Sequence, residues 1–116
     1  MGVLPRLKAF LTEENRDELL ARARSLFSPS VVRDDPNRPS EGEDFFDDLG
    51  AFSPLVEVGF VESVESGDVC AVVFEGRDPV ADRWHRCSWV VRVERGLVVR
   101  ITSTSQVIPA PDLEVA

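Results

Sequence analysis

At Pro54 the spacing of apolar residues changes from the helical period of about 3.6 to the strand period of about two, and it does not change back. A chain patterned this way puts its helices first and its sheet second. That is the α+β arrangement, with N-terminal helices covering one face of an antiparallel sheet. The chain has 116 residues, 43% of them hydrophobic, which is material for one compact core, so residues 1–116 read as a single domain.

Before Pro54 the helical punctuation is dense. Pro5 suits a first helical turn, and Leu7, Phe10 and Leu11 fall on one face. Thr12 reads as the cap of a second helix, with Glu13 and Glu14 at the positive end of its dipole and Leu19, Leu20, Ala23, Leu26 and Phe27 as its buried stripe. The two segments read equally as one bent helix. Ser28-Pro29 stops the run, residues 30–33 are extended, and Asp34-Asp35-Pro36 opens a turn. Ser40-Glu41-Gly42-Glu43 has the form of a capping box for a third helix that points Phe45, Phe46, Leu49 and Phe52 inward.

After Pro54, Val56, Val58, Phe60 and Val64 alternate with polar residues, and residues 69–75, 83–94 and 97–108 supply three further strands. Residues 76–82, with Asp78-Pro79, read as a hairpin tip. A hairpin centred there sets Cys70 opposite Cys87 and Val72 opposite His85. One face of the long strand then carries His85, Cys87, Trp89, Val91 and Val93. For the last hairpin a two-residue Arg95-Gly96 turn would bring Arg100 opposite Val91; a longer, bulged loop instead pairs Trp89 with Ser103, Val91 with Ile101 and Val93 with Val99, and is preferred because it buries no charge. Pro109 and Pro111 end the ordered chain, leaving 109–116 as a loose tail.

Charge and composition exclude several functions. Lys and Arg number 13 against 21 Asp and Glu, a net charge of -8, so nucleic acid is not an expected partner. No apolar run approaches the length of a membrane span and the N-terminus lacks a signal-peptide core, which points to the cytoplasm. Two cysteines and one histidine cannot build a four-ligand zinc site, and neither Gly-rich phosphate motif occurs, so no metal and no cofactor are expected.

The order Leu26-Phe27, Val31-Val32-Arg33-Asp34-Asp35-Pro36, Gly42, Phe45 and the late run Val91-Arg92-Val93-Glu94-Arg95-Gly96-Leu97-Val98 resembles the nuclear transport factor 2-like superfamily, the cone-shaped fold shared by ketosteroid isomerase and small polyketide cyclases. The resemblance implies a curved sheet around an apolar pocket, dimerisation through the sheet, and Asp35 as a general base, since it matches the isomerase's aspartate in the Asp-Pro pair. The isomerase's carboxylate tuning is a worked case in physical enzymology. This chain departs from it: it contains no tyrosine, and Trp89 stands where the second acid of the oxyanion hole would be. Classical steroid isomerisation is therefore not expected.

Each candidate has a plainer alternative. Asp35 is either that base or simply the anchor of an Asx turn before Pro36. His85 is either its acid/base partner or a structural histidine at the sheet rim. Trp89, Phe46, Phe60, Phe74 and Ser103 are the expected pocket wall for a small apolar or weakly acidic molecule. The rival possibility is that Phe46, Phe60, Phe74 and Trp89 plug the hollow, leaving a non-catalytic dimerisation or interaction module. Trp84 and Val90, of opposite parity to Trp89, face outward and suit a homodimer interface. Cys70 and Cys87 are expected as reduced, packed thiols.

Overall fold

The computed structural model describes residues 2–51 and 53–111. Phe52, expected on the inner side of the third helix, and the end of the tail lie outside the described residues. The elements run α1 (Leu4–Leu11), α2 (Arg16–Leu26), β1 (Phe27–Asp34), β2 (Ser40–Glu41), α3 (Glu43–Ala51), β3 (Val56–Ser66), β4 (Val69–Asp78), β5 (Arg83–Glu94) and β6 (Leu97–Ile108). Helices precede the long strands, as the change of period requires.

Two of the expected caps are wrong. Thr12 closes α1, its hydroxyl donating to the Lys8 carbonyl at 2.9 Å, while Asn15 caps α2 by accepting from the Glu18 amide at 3.0 Å. An Asn immediately before a first turn that carries Asp17 and Glu18 is the stronger signal. The capping box before α3 is also absent. Ser40 is drawn into β2, opposite Arg33, and Glu43 instead pairs with Arg24 at 2.5 Å.

The strands form one curved, unclosed sheet in the order β2-β1-β6-β5-β4-β3. It is mixed rather than wholly antiparallel, because β1 runs parallel to β6. That pairing joins the first strand to the last, a long-range contact that no local pattern announces. The core lies between sheet and helices. Phe27, 1% exposed, is at its centre, with Phe10 and Phe45 edge-on to it at 5.0 and 4.9 Å.

The strand register differs from the expected one in two places. Cys70 faces Val91 and Cys87 faces Phe74, so β4 continues through Gly76 and Arg77 to Asp78, and the tip comes later. Gly76 is in the strand because Leu55 Cβ and Val58 Cγ2 lie 3.0 Å from where its Cβ would be; the site demands a missing side chain rather than a turn. The partner of Cys70 moves by an even number of residues, so every side chain keeps its expected face. In β3, an extra residue at Val61 breaks the ladder between Phe60 and Glu62 and reverses the alternation beyond it. Val64 therefore points outward, 59% exposed.

The last hairpin combines both options that the sequence offered. Arg95 and Gly96 both have positive φ, 53° and 78°, and make the two-residue turn. A bulge then skips Val99, so Val93 pairs with Val98 while Val91 meets Ile101 and Trp89 meets Ser103.

Candidate functional site

Along β1 and just beyond it, Val31, Arg33 and Asp35 share one parity. Val31 is fully buried, so the two charged residues that follow are carried toward the hollow side of the sheet. The neighbouring strands bring Ser103 from β6, His85, Cys87 and Trp89 from β5, and Phe74 from β4 to the same side; Phe10, Leu19 and Leu49 close it from the helices. The result is a cleft of about 510 Å³, within the range of small-molecule sites.

Asp35 uses its two oxygens differently. Oδ1 accepts from the amides of Asn37 at 2.8 Å and Arg38 at 3.1 Å, which is the Asx turn. Oδ2 accepts from the Ser103 hydroxyl at 2.7 Å and lies 3.6 Å from an Arg33 nitrogen. One carboxylate thus both anchors the turn and lines the cleft, with its side chain 8% exposed. Burial alone would push its pKa up. The Ser103 hydroxyl, the Asn37 amide, the Arg33 guanidinium and the Arg38 amide outweigh that and hold it below the usual aspartate value.

Arg33 is the residue that sequence reasoning missed. Its Nε donates to Ser103 Oγ at 3.2 Å, and its guanidinium lies 5.6 Å from the Trp89 ring. Burial pushes its pKa down from the ordinary arginine value, with Asp35 acting in the opposite sense. The available signal was its parity with Val31: a charge at an inward strand position needs partners, and they are found in the cleft.

Trp89, 7% exposed, forms the floor against Phe10, Phe27 and Phe74. His85 lines the cleft across from Gly76; among the described residues no hydrogen bond joins it to Asp35. Phe46 and Phe60 are placed elsewhere. Phe46 is buried against Phe45 and beneath Arg24, because its helix turns that side toward α2. Phe60 packs beside Phe74, its partner across the β3–β4 ladder, under Lys8. Neither reaches the hollow, so of the four aromatic side chains proposed as a plug only Phe74 and Trp89 line it.

Cys70 and Cys87 are both free and buried. Burial pushes each thiol up to about 11. Among the described residues no His, Cys, Asp and Glu side chains gather into a metal-binding group, and no helix is long and apolar enough to cross a membrane.

No family model and no curated protein matches the sequence. Solved structures do match. A protein of unknown function from Cytophaga hutchinsonii, described as NTF2-like, superposes with a TM-score of 0.69 at 14% identity, covering 98% of this chain and 96% of that one. The chain has the nuclear transport factor 2-like fold. A second neighbour, provisionally named a ketosteroid isomerase, from Kribbella flavida, gives 0.70 at 17% identity over 98% of this chain and 81% of that one. A third, provisionally named a SnoaL-like polyketide cyclase, from Jannaschia, gives 0.71 at 14% over 90% and 85%. Identities this low establish the NTF2-like architecture alone, and function has to be argued from the cleft.

Proposed function

We propose that the cleft binds a small, mainly apolar molecule and that Asp35 takes a proton from it, in isomerase- or cyclase-type chemistry. The observation that carries this reading is Asp35 Oδ2, a carboxylate oxygen in the wall of a cleft of about 510 Å³, fixed by Ser103 at 2.7 Å. A general base needs such an acceptor, held in place and shielded from bulk water. Its lowered pKa keeps it ionised at neutral pH and makes it a weak base, which suits a carbon acid already activated by a neighbouring group. Names given to NTF2-like neighbours, an isomerase and a cyclase, agree with this class of chemistry.

His85 is a second proton carrier in this reading, and Phe74, Trp89 and Ser103 contact the ligand. A second copy of the chain packs on the outer sheet face, where Val64, Ala71, Val90 and Thr102 form one row across four strands. Two free thiols fit a reducing compartment such as the cytoplasm.

The test is D35N against a panel of small ketones and phenols. Binding is followed by the fluorescence of Trp89 in a W84F background and proton transfer by deuterium exchange into the ligand. The reading expects binding to persist in D35N and exchange to fall by a factor of about 100 or more. Unchanged exchange removes Asp35 as the base.

A further inference from the structure

Arg33 has hydrogen-bonding capacity that the protein does not use. A guanidinium carries five N–H donors. Nε is given to Ser103, and the contact with Asp35, at 3.6 Å, is an ion pair too long for a hydrogen bond. Among the described residues no other acceptor takes an N–H from it. The side chain is nevertheless only 14% exposed and borders the cleft. A buried cation with open donors, resting over the Trp89 ring and pointing into a cavity with apolar walls, is a site built to receive an oxygen.

We propose that Arg33 is the oxyanion-binding residue of this cleft, and that the ligand is a neutral, enolisable carbonyl compound whose oxygen lies on the guanidinium while an adjacent carbon faces Asp35. The inference rests on the Asp35 reading above and extends it to a substrate class. Charge decides for a neutral ligand. Four carboxylates, Glu13, Asp35, Asp48 and Asp78, line the cleft against two guanidiniums, Arg33 and Arg38, so an anion entering it would meet a net negative charge, whereas a carbonyl group brings none.

The reaction step then conserves the pairing. A C–H bond next to the carbonyl breaks and its proton forms an O–H bond with Asp35 Oδ2. The electron pair moves into the enolate, and the negative charge appears on the oxygen held by Arg33. Charge leaves one partner of the guanidinium and arrives at another, so the cation is never left unpaired in a dry site. Returning the proton to a different carbon restores the carboxylate and isomerises the ligand without any oxidant or reductant. Ser103 supports both groups, accepting from Arg33 and donating to Asp35. This assigns to Arg33 the task for which Trp89, with its single N–H, is poorly equipped.

A nitrophenol is a suitable probe, because its apolar ring mimics the ligand body and its phenol and phenolate forms absorb at different wavelengths. D35N removes the competing negative charge and is expected to bind the probe mainly as phenolate. The double variant D35N/R33M is expected to bind phenolate at least about tenfold more weakly while keeping affinity for the neutral phenol. Should that variant fail to fold by circular dichroism, D35N/R33Q, which retains an N–H for Ser103, gives the same readout. An ionised fraction that does not respond to either Arg33 substitution overturns the role of Arg33 alone. Exclusion of the phenol and of neutral ketones from the folded wild-type protein overturns the ligand-binding reading with it.

Discussion

Ser103 Oγ donates to Asp35 Oδ2 across 2.7 Å although the residues stand 68 positions apart. The parallel pairing of β1 with β6 makes that contact. Of the bonds that favour ionised Asp35, this one contributes most, so its removal has a defined sign. In S103A the carboxyl is expected to titrate at higher pH than in the wild type, read from its side-chain carbon resonance by NMR. Because the folded-state pKa is lowered, ionised Asp35 adds stability that is present above the unfolded aspartate value and lost as pH falls through the folded one. Denaturant midpoints measured on acidification should therefore fall more steeply in the wild type than in D35N; parallel curves would mean that Asp35 is not stabilised by its partners.

Phe27 links the end of α2 to the start of β1 and meets Phe10 and Phe45 edge-on. F27A should cost about 3–5 kcal/mol, a large part of the stability of a domain this size. Equilibrium urea unfolding measures it, and a loss below about 1 kcal/mol would place the centre of the core elsewhere.

Val90 is 45% exposed, in the middle of the outer row. V90D is expected to leave the fold within about 0.5 kcal/mol of wild type and to convert a dimer into a monomer in light scattering. A wild-type protein that is monomeric at high concentration would remove the proposed self-association.

The two thiols, each pushed up to about 11 and buried, should react with a disulfide reagent at mildly alkaline pH only after unfolding, with an intact mass showing no bridge. Nor do the two face each other as the expected hairpin register had them, since Cys70 and Cys87 oppose Val91 and Phe74. Rapid labelling of the native protein would contradict this.

The sequence revealed fold class and faces better than contacts, for physical reasons. Periodicity identifies which side of a strand is buried, so Trp89, Val91 and Ile101 were correctly turned inward. It says nothing about how far a hairpin extends before it turns, and Gly76, which reads as a turn residue, is a strand residue because Leu55 and Val58 need the space. The bulge at Val61 carries no residue signature, and it alone turned Val64 outward. Asp35 was legible through its Asp-Pro context. Arg33 was not, because a strand arginine usually points to solvent, and only the buried valine two positions earlier betrays its direction. Phe46 and Phe60 were assigned to the hollow on hydrophobicity, which predicts burial but not against what.

The central claim is that in one polar corner Arg33 receives the oxygen of a small apolar ligand while Asp35 faces the carbon next to it. A crystal structure with 2-naphthol bound tests it most directly. The ring should lie against Trp89 and Phe74, with the hydroxyl oxygen within hydrogen-bond distance of an Arg33 N–H and the ring carbon next to it facing Asp35 Oδ2. Naphthol bound with its oxygen directed away from that corner, or a cleft that closes on Phe74 and Trp89 and admits no ligand, would contradict the account.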